Sequence, residues 1–261
     1  MSFQPVVPLS GYVGWTFLSR TLESQTEAFN QSPSIQRDAD YFREAIGQVQ
    51  TAEQLVADRR LLGVALTAFG LQDDINSKAF VQQILEEGTI EPSALANKLS
   101  DKRYLAFAKS FGFGDFATPR TELSYFPDEI IEAYEARSFE AAVGAQNEAL
   151  RLSLNLEREL DTLATNSESD TARWFSMMGQ PPMRRVFEGA LALPTSFSRI
   201  DIDQQLEVFK ERSEQIFGTQ EIADFADPDL REKLIQRFLL MDQLQSGQSM
   251  NGSQIALSLL S

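Results

Sequence analysis

Two tight aspartate pairs, Asp73-Asp74 and Asp201-x-Asp203, come nearest to metal or acid–base chemistry in this chain. A calcium loop needs further oxygen ligands, a turn glycine and a closing glutamate, and neither pair has them in register. Both pairs stand where helices begin, and carboxylates there cap backbone amides and complement the helix dipole. Capping is therefore their expected role, with no metal. Arg59-Arg60 and Arg184-Arg185 could hold an anion, but on helices rich in acid they are expected to form surface ion pairs worth ~0–1 kcal/mol each. The stretch Phe111-Gly-Phe-Gly-Asp-Phe-Ala-Thr-Pro119 has the glycines of a phosphate loop. It has neither a preceding strand nor a Gly-Lys-Ser/Thr ending, so it reads as a helix stop whose phenylalanines pack back on the core.

Cysteine and histidine are both absent. Disulfides, thiol nucleophiles, Cys/His zinc sites and the Ser–His and Cys–His arrangements go with them. Carboxylate, lysine and tyrosine chemistry stays open, but no catalytic, cofactor-binding or metal-binding residue is assigned. The formal net charge is −15, from 38 acidic and 23 basic residues. No basic stripe overrides it, so nucleic acid and anionic membrane surfaces are poor partners. Every apolar run falls short of the ~20 residues of a membrane span, so no membrane insertion is expected. Met1 to Leu9 has no basic residue and no apolar core of a Sec signal peptide, and export would use another signal.

The longest element that could position anything is Pro127 to Ala164, which reads as one unbroken helix. Pro127, Asp128 and Glu129 suit a first turn. Ala142, Ala145, Ala149, Leu152, Leu156 and Leu163 fall at the three-and-four spacing of a helix seam. At 1.5 Å per residue it would be roughly 50–55 Å long. Before it, a Pro/Gly-containing arm leads to a helix from Gly14 carrying Trp15, Leu18, Leu22 and Phe29, with only Gln25 breaking the stripe. Thr51-Ala-Glu-Gln54 has the spacing of a capping box opening a helix that ends at Gly70. Asp101 is placed to cap another. After it come a polar stretch, Thr165 to Thr171, and helices around Trp174-Phe175, Pro181-Pro182, Ile202 to Phe217 and Asp227-Pro228. Residues 246–253 are Ser/Gly/Gln/Asn-rich, and the chain closes on Ile255, Leu257, Leu259 and Leu260.

No segment alternates with period two between turn signals. The expected fold is all-α, a multi-helix bundle organised around one long central helix (about 127–164). It forms a single domain over 1–261, with a flexible arm at 1–13 and a flexible tail at 246–261. Lobes at 34–126 and 172–245 would be joined by the long helix. Tyr41-Phe42, Gly47, Arg60-Leu-Leu62 and Ala65-Leu66 are echoed by Trp174-Phe175, Gly179, Arg185-Val-Phe187 and Ala190-Leu191, which offers a degenerate internal duplication.

Several longer motifs carry a resemblance. They are Asp40-Tyr-Phe-Arg-Glu, Ala57-Asp-Arg-Arg-Leu-Leu, Ala68-Phe-Gly-Leu-Gln-Asp-Asp, Leu99-Ser-Asp-Lys-Arg-Tyr, Gly144-Ala-Gln-Asn-Glu-Ala-Leu-Arg, Trp174-Phe and Gly179-Gln-Pro-Pro-Met-Arg-Arg-Val-Phe. They resemble an alphaproteobacterial family labelled as a domain of unknown function, number twelve-seventeen, whose members are often encoded among flagellar genes. The resemblance extends over nearly the whole chain. It brings no catalytic residues and implies a flagellum-linked role, with flagellar components as protein partners. The expected function is a non-enzymatic structural or assembly protein acting through helix–helix contacts, associated with the flagellum. A cytoplasmic helical adaptor or export chaperone is the alternative, and a carboxylate-based enzyme a second one. The candidate partner interface lies at the two ends of the chain: Trp15, Leu18, Leu22 and Phe29, with Ile255, Leu257, Leu259 and Leu260.

Overall fold

The computed structural model describes residues 3–165 and 168–259. These residues form thirteen α-helices, five 3-10 turns and no strand, so the all-α expectation holds. Two compact units divide the chain: Met1–Val6 with Thr21–Ala142, and Val7–Arg20 with Val143–Ser261. The polar stretch Thr165 to Thr171 lies inside the second of them.

Helix α1 (Gly11–Asn30) starts three residues earlier than its stripe predicts. The arm before it is not loose. In the first unit the Val6 amide donates to Gln25 Oε1 at 2.6 Å, and Gln25 Nε2 donates back to the Val6 carbonyl at 3.3 Å. The Phe3 amide donates to Ser32 Oγ at 3.3 Å. Gln25, the residue that interrupts the apolar stripe, is buried, and a buried amide needs such partners.

The rest of the first unit runs through α2 (Pro33–Ala45), α3 (Ala52–Ala57), α4 (Arg59–Ala68), α5 (Lys78–Glu87), α6 (Leu95–Lys98), α7 (Arg103–Phe111) and α8 (Phe126–Gly144). The capping box forms as expected, with the Gln54 amide on Thr51 Oγ1 and Gln54 Oε1 on the Thr51 amide, both at 3.2 Å. Its helix stops after six residues. Asp58 adopts an extended backbone and accepts from the Arg60 and Leu61 amides at 2.8 and 3.0 Å, so it caps a new helix, α4. The Tyr41 hydroxyl donates to the other oxygen of Asp58 at 2.5 Å and holds it there. At the far end of α4, Arg103 donates to the Gly70 carbonyl at 2.5 Å and Arg137 to the Ala68 carbonyl at 3.2 Å. Two guanidiniums thus meet the negative end of the helix. The core is a chain of rings, Phe69–Phe107–Phe111–Phe126, with centroids 5.1–5.3 Å apart.

In the second unit α9 (Glu148–Thr165) is central, packed by α10 (Asp170–Met178), α11 (Pro181–Ala190) and α13 (Pro228–Leu259), with α12 (Ile202–Phe217) completing the set. Trp174 joins Phe187 at 5.7 Å and Phe209 at 5.8 Å, and Phe225 extends the cluster from Phe187 at 5.4 Å. Leu152 and Leu156 are buried, as the seam requires.

The long helix itself is two helices. α8 ends at Gly144 and α9 begins at Glu148, with Asn147 Oδ1 accepting from the Leu150 amide at 3.0 Å as the new N-cap. Gly144 is a poor helix residue and Asn147 a strong cap, and together they outweigh the continuous seam. At the other end, the segment from residue 246, expected as a flexible tail, continues α13 to Leu259.

Candidate functional site

Of the two aspartate pairs expected to cap helices, one does so: the segment of Asp73 and Asp74 has Leu71 at its N-cap and no side-chain cap bond. Asp201 accepts from the Asp203 amide at 2.9 Å, the predicted cap. Asp73 and Asp74 lie in the first turn of the 3-10 segment Gln72–Asn76, and Asp74 accepts the Tyr104 hydroxyl at 2.6 Å. Burial, then this hydrogen bond, push Tyr104 up to about 12. Among the described residues no group of three or more acidic side chains is placed to hold a metal ion.

Both arginine pairs are largely engaged. Arg60 donates to Asp38 at 2.8 Å and to the Arg37 carbonyl at 2.6 Å, with its guanidinium 4.4 Å from the Tyr41 ring centre. Arg59 donates to Asn76 at 3.1 Å. Arg184 donates to Glu188 at 2.7 Å and Gln205 at 2.6 Å. Arg185 acts on Glu148 and lines a cleft of about 470 Å³ between α11 and α13, whose lining also includes Asp242. A second cleft in the same unit, of about 450 Å³, is lined by Asp224, Asp227 and Asp229. There Asp227 caps α13 through the Asp229 and Leu230 amides, and Asp224 accepts the Thr219 hydroxyl. Glu157 is held above the usual carboxylate range by burial, with Glu232 and Asp161 adding to it and Arg231 opposing. Arg231 is itself ion-paired with Asp161.

The glycine-rich loop is a helix stop, with Gly112 as the left-handed C-cap of α7, but its phenylalanines do not all pack back on the core: Phe111 is buried and Phe116 is 55% exposed. Phe111 and Phe113 stack with centroids 5.7 Å apart. Gly114 passes so close to α5 that a Cβ there would sit 2.4 Å from the Glu86 carbonyl oxygen and 2.5 Å from the Gly88 nitrogen. Asp115 turns its carboxylate on the neighbouring loop, accepting from the Thr89 amide (2.5 Å), the Thr89 hydroxyl (2.8 Å) and the Ile90 amide (3.1 Å). The amides of this loop turn back on it, Asp115 and Phe116 both donating to the Gly112 carbonyl, and it is the Asp115 carboxylate, receiving the Thr89 and Ile90 amides, that cross-links the two loops.

The predicted partner interface is largely core. Trp15 is 1% exposed, Leu18 0% and Phe29 8%. The Trp15 indole donates to Glu232 at 3.1 Å in the second unit, and Phe29 meets Phe139 edge-on at 5.6 Å in the first. Leu22 is half-buried. A stripe at helical spacing needs a partner surface, and here the chain supplies it, so these side chains are not offered to another protein. Leu260 and the side chains of Ile255, Leu257 and Leu259 lie outside the described residues.

Exposed apolar side chains gather elsewhere. In the second unit Leu9, Val13 and Phe17 are 53%, 63% and 36% exposed, and Leu240 and Leu244 are 50% and 53% exposed on α13. The two sets belong to neighbouring elements, because a Cβ on Gly11 would lie 2.0 Å from the Gln243 amide nitrogen. The four-residue steps Val13–Phe17 and Leu240–Leu244 were available in the sequence, but each is overshadowed by a stronger stripe on another face of its helix.

No curated protein matches the chain. The crystal structure of a protein from Agrobacterium tumefaciens is similar, with 28% sequence identity, a TM-score of 0.74, and coverage of 93% of this chain and 99% of that one. The family model described as "Protein of unknown function (DUF1217)" matches residues 68–230, more than half of the sequence, and the chain belongs to that family.

Proposed function

We propose that this chain is a non-enzymatic structural or assembly protein associated with the bacterial flagellum, acting through helix–helix protein contacts. The observation that carries the reading is α13. It runs for 32 residues, about 48 Å at the usual rise, and exposes Leu240 and Leu244, with its Gln243 against Gly11, close in sequence to the exposed Leu9 and Val13. From Gln243 to the end of the sequence there is no charged residue. An uncharged helix that follows an exposed apolar face suits packing against another helix better than it suits free solution. The flagellar setting comes from the resemblance of its motifs to family members often encoded among flagellar genes.

Fractionation of flagellated cells expressing a tagged chain tests this. The expected result is signal in sheared or purified flagella, lost when the chain ends at residue 245. Signal confined to the cytosol would favour an adaptor or export chaperone instead.

A further inference from the structure

The glycine-rich loop and the loop after α5 are cross-linked through Asp115, and each holds out an apolar side chain. Ile90 is 66% exposed and Phe116 is 55% exposed. Both flank one carboxylate: Asp115 is the residue before Phe116 and accepts the Ile90 amide at 3.1 Å. Three hydrogen bonds from Thr89 and Ile90 converge on that carboxylate, Gly114 lies in backbone contact with Gly88, and the Phe116 ring lies over Gly112, 2.7 Å from where a Cβ would be. A side chain in a mobile loop loses entropy when a partner binds it; one already fixed loses less, so pre-positioned apolar groups are effective anchors.

The surrounding charge indicates what would seat there. Glu86, whose carbonyl meets Gly114, and Glu91, next to Ile90, are both exposed, and Asp115 lies between the loops. Of the cations on the flanking elements, Arg120 is paired with Glu129 at 3.6 Å, Lys98 acts on Glu87, and Lys109 stands exposed in the last turn of α7, leaving the Glu86 and Glu91 side the acidic one. We propose that Ile90 and Phe116 form a docking platform for a partner helix that presents an apolar side chain flanked by lysine or arginine. The acidic rim would steer such a helix and reject an acidic one, including a second copy of this chain with its net charge of −15. The platform rests on the interaction reading above but uses a different surface, in the other unit.

Three synthetic amphipathic helices with one shared Leu/Phe stripe and a Lys, Ser or Glu polar face are the probes, measured by fluorescence anisotropy against the full chain. The Lys-faced peptide is expected to bind most tightly and to weaken in high salt. Phe116→Ser and Ile90→Ser should each lower its affinity by about tenfold or more, and Leu244→Ser should leave it unchanged. Equal binding of all three peptides, or Lys-peptide binding untouched by Phe116→Ser and Ile90→Ser, overturns the platform. So does an absence of binding with both variants folded by circular dichroism. The two ideas fail separately. Flagellar signal that depends on α13, without peptide binding, sinks only the platform. Platform-dependent peptide binding by a purely cytosolic protein sinks only the flagellar reading.

Discussion

Ala192 shows how a single residue can carry strain for the sake of a helix end. Its φ of +53° is the only positive value at a non-glycine among the described residues, and it lets the Leu193 amide reach the Glu188 carbonyl at 2.9 Å. The left-handed backbone costs an L-residue roughly 1–2 kcal/mol. Ala192→Gly removes that cost but frees the unfolded chain by about 0.4–1 kcal/mol. Strain relief wins, and a net gain of up to ~1 kcal/mol should appear as a higher urea midpoint at unchanged slope. Tyrosine ionisation gives a second test at this scale. Tyr104 and Tyr134 are both pushed up to about 12, chiefly by burial, with Asp74 and Asp38 adding to it. A pKa raised on folding stabilises the native state below the unfolded value of 10.0 and is lost as pH climbs toward 12. Absorbance titration should therefore show Tyr104 and Tyr134 ionising late, with Tyr12 and Tyr41 also displaced upward by their hydrogen bonds to Glu232 and Asp58, and unfolding setting in over that window. Asp74→Asn should bring the Tyr104 titration down and leave that of Tyr134 in place.

At the scale of elements, periodicity made most helices legible, because a buried stripe is written into the residue types that form it. What was not legible was where helices break. Asp58 and Asn147 each interrupt a run whose apolar spacing continues across it, and a seam count does not register a cap inside a seam. The signals were local: a glycine three residues before Asn147 and Glu148, and an Asp two residues before a pair of amides it can accept from. Asn147→Ala should cost about 1 kcal/mol by removing the cap, and Asn147→Asp should retain most of it. Burial on α9 gives a larger effect. Leu152 and Leu156 are 2% and 0% exposed, so replacing either by Ala should cost ~2–5 kcal/mol through lost contacts and a residual cavity. The candidate site was less legible than the fold. Sequence periodicity shows that a stripe needs covering without showing what covers it, and Trp15 and Phe29 are covered by Glu232 and Phe139 of the same chain.

At the scale of the whole molecule, the two ends of the chain have different physical standing, and truncation separates them. The segment Val7–Arg20 is part of the second unit, where Trp15 and Leu18 are almost fully enclosed. Starting the chain at residue 21 removes both, and a loss of the order of 3–5 kcal/mol follows from the tryptophan alone. The C-terminal end is the reverse case. The last buried apolar side chain among the described residues is Leu239, and Leu240 and Leu244 already face solvent. A chain ending at residue 245 therefore keeps its described core and should melt within about 2 °C of the full protein, a shift that corresponds to about 1 kcal/mol for a chain of this size. On the proposed flagellar reading it should nevertheless be missing from purified flagella, because the uncharged part of α13 has gone. Unfolding on that truncation would mean the last turns belong to the core. A stable truncated chain that still co-purifies with flagella would move the interaction away from α13.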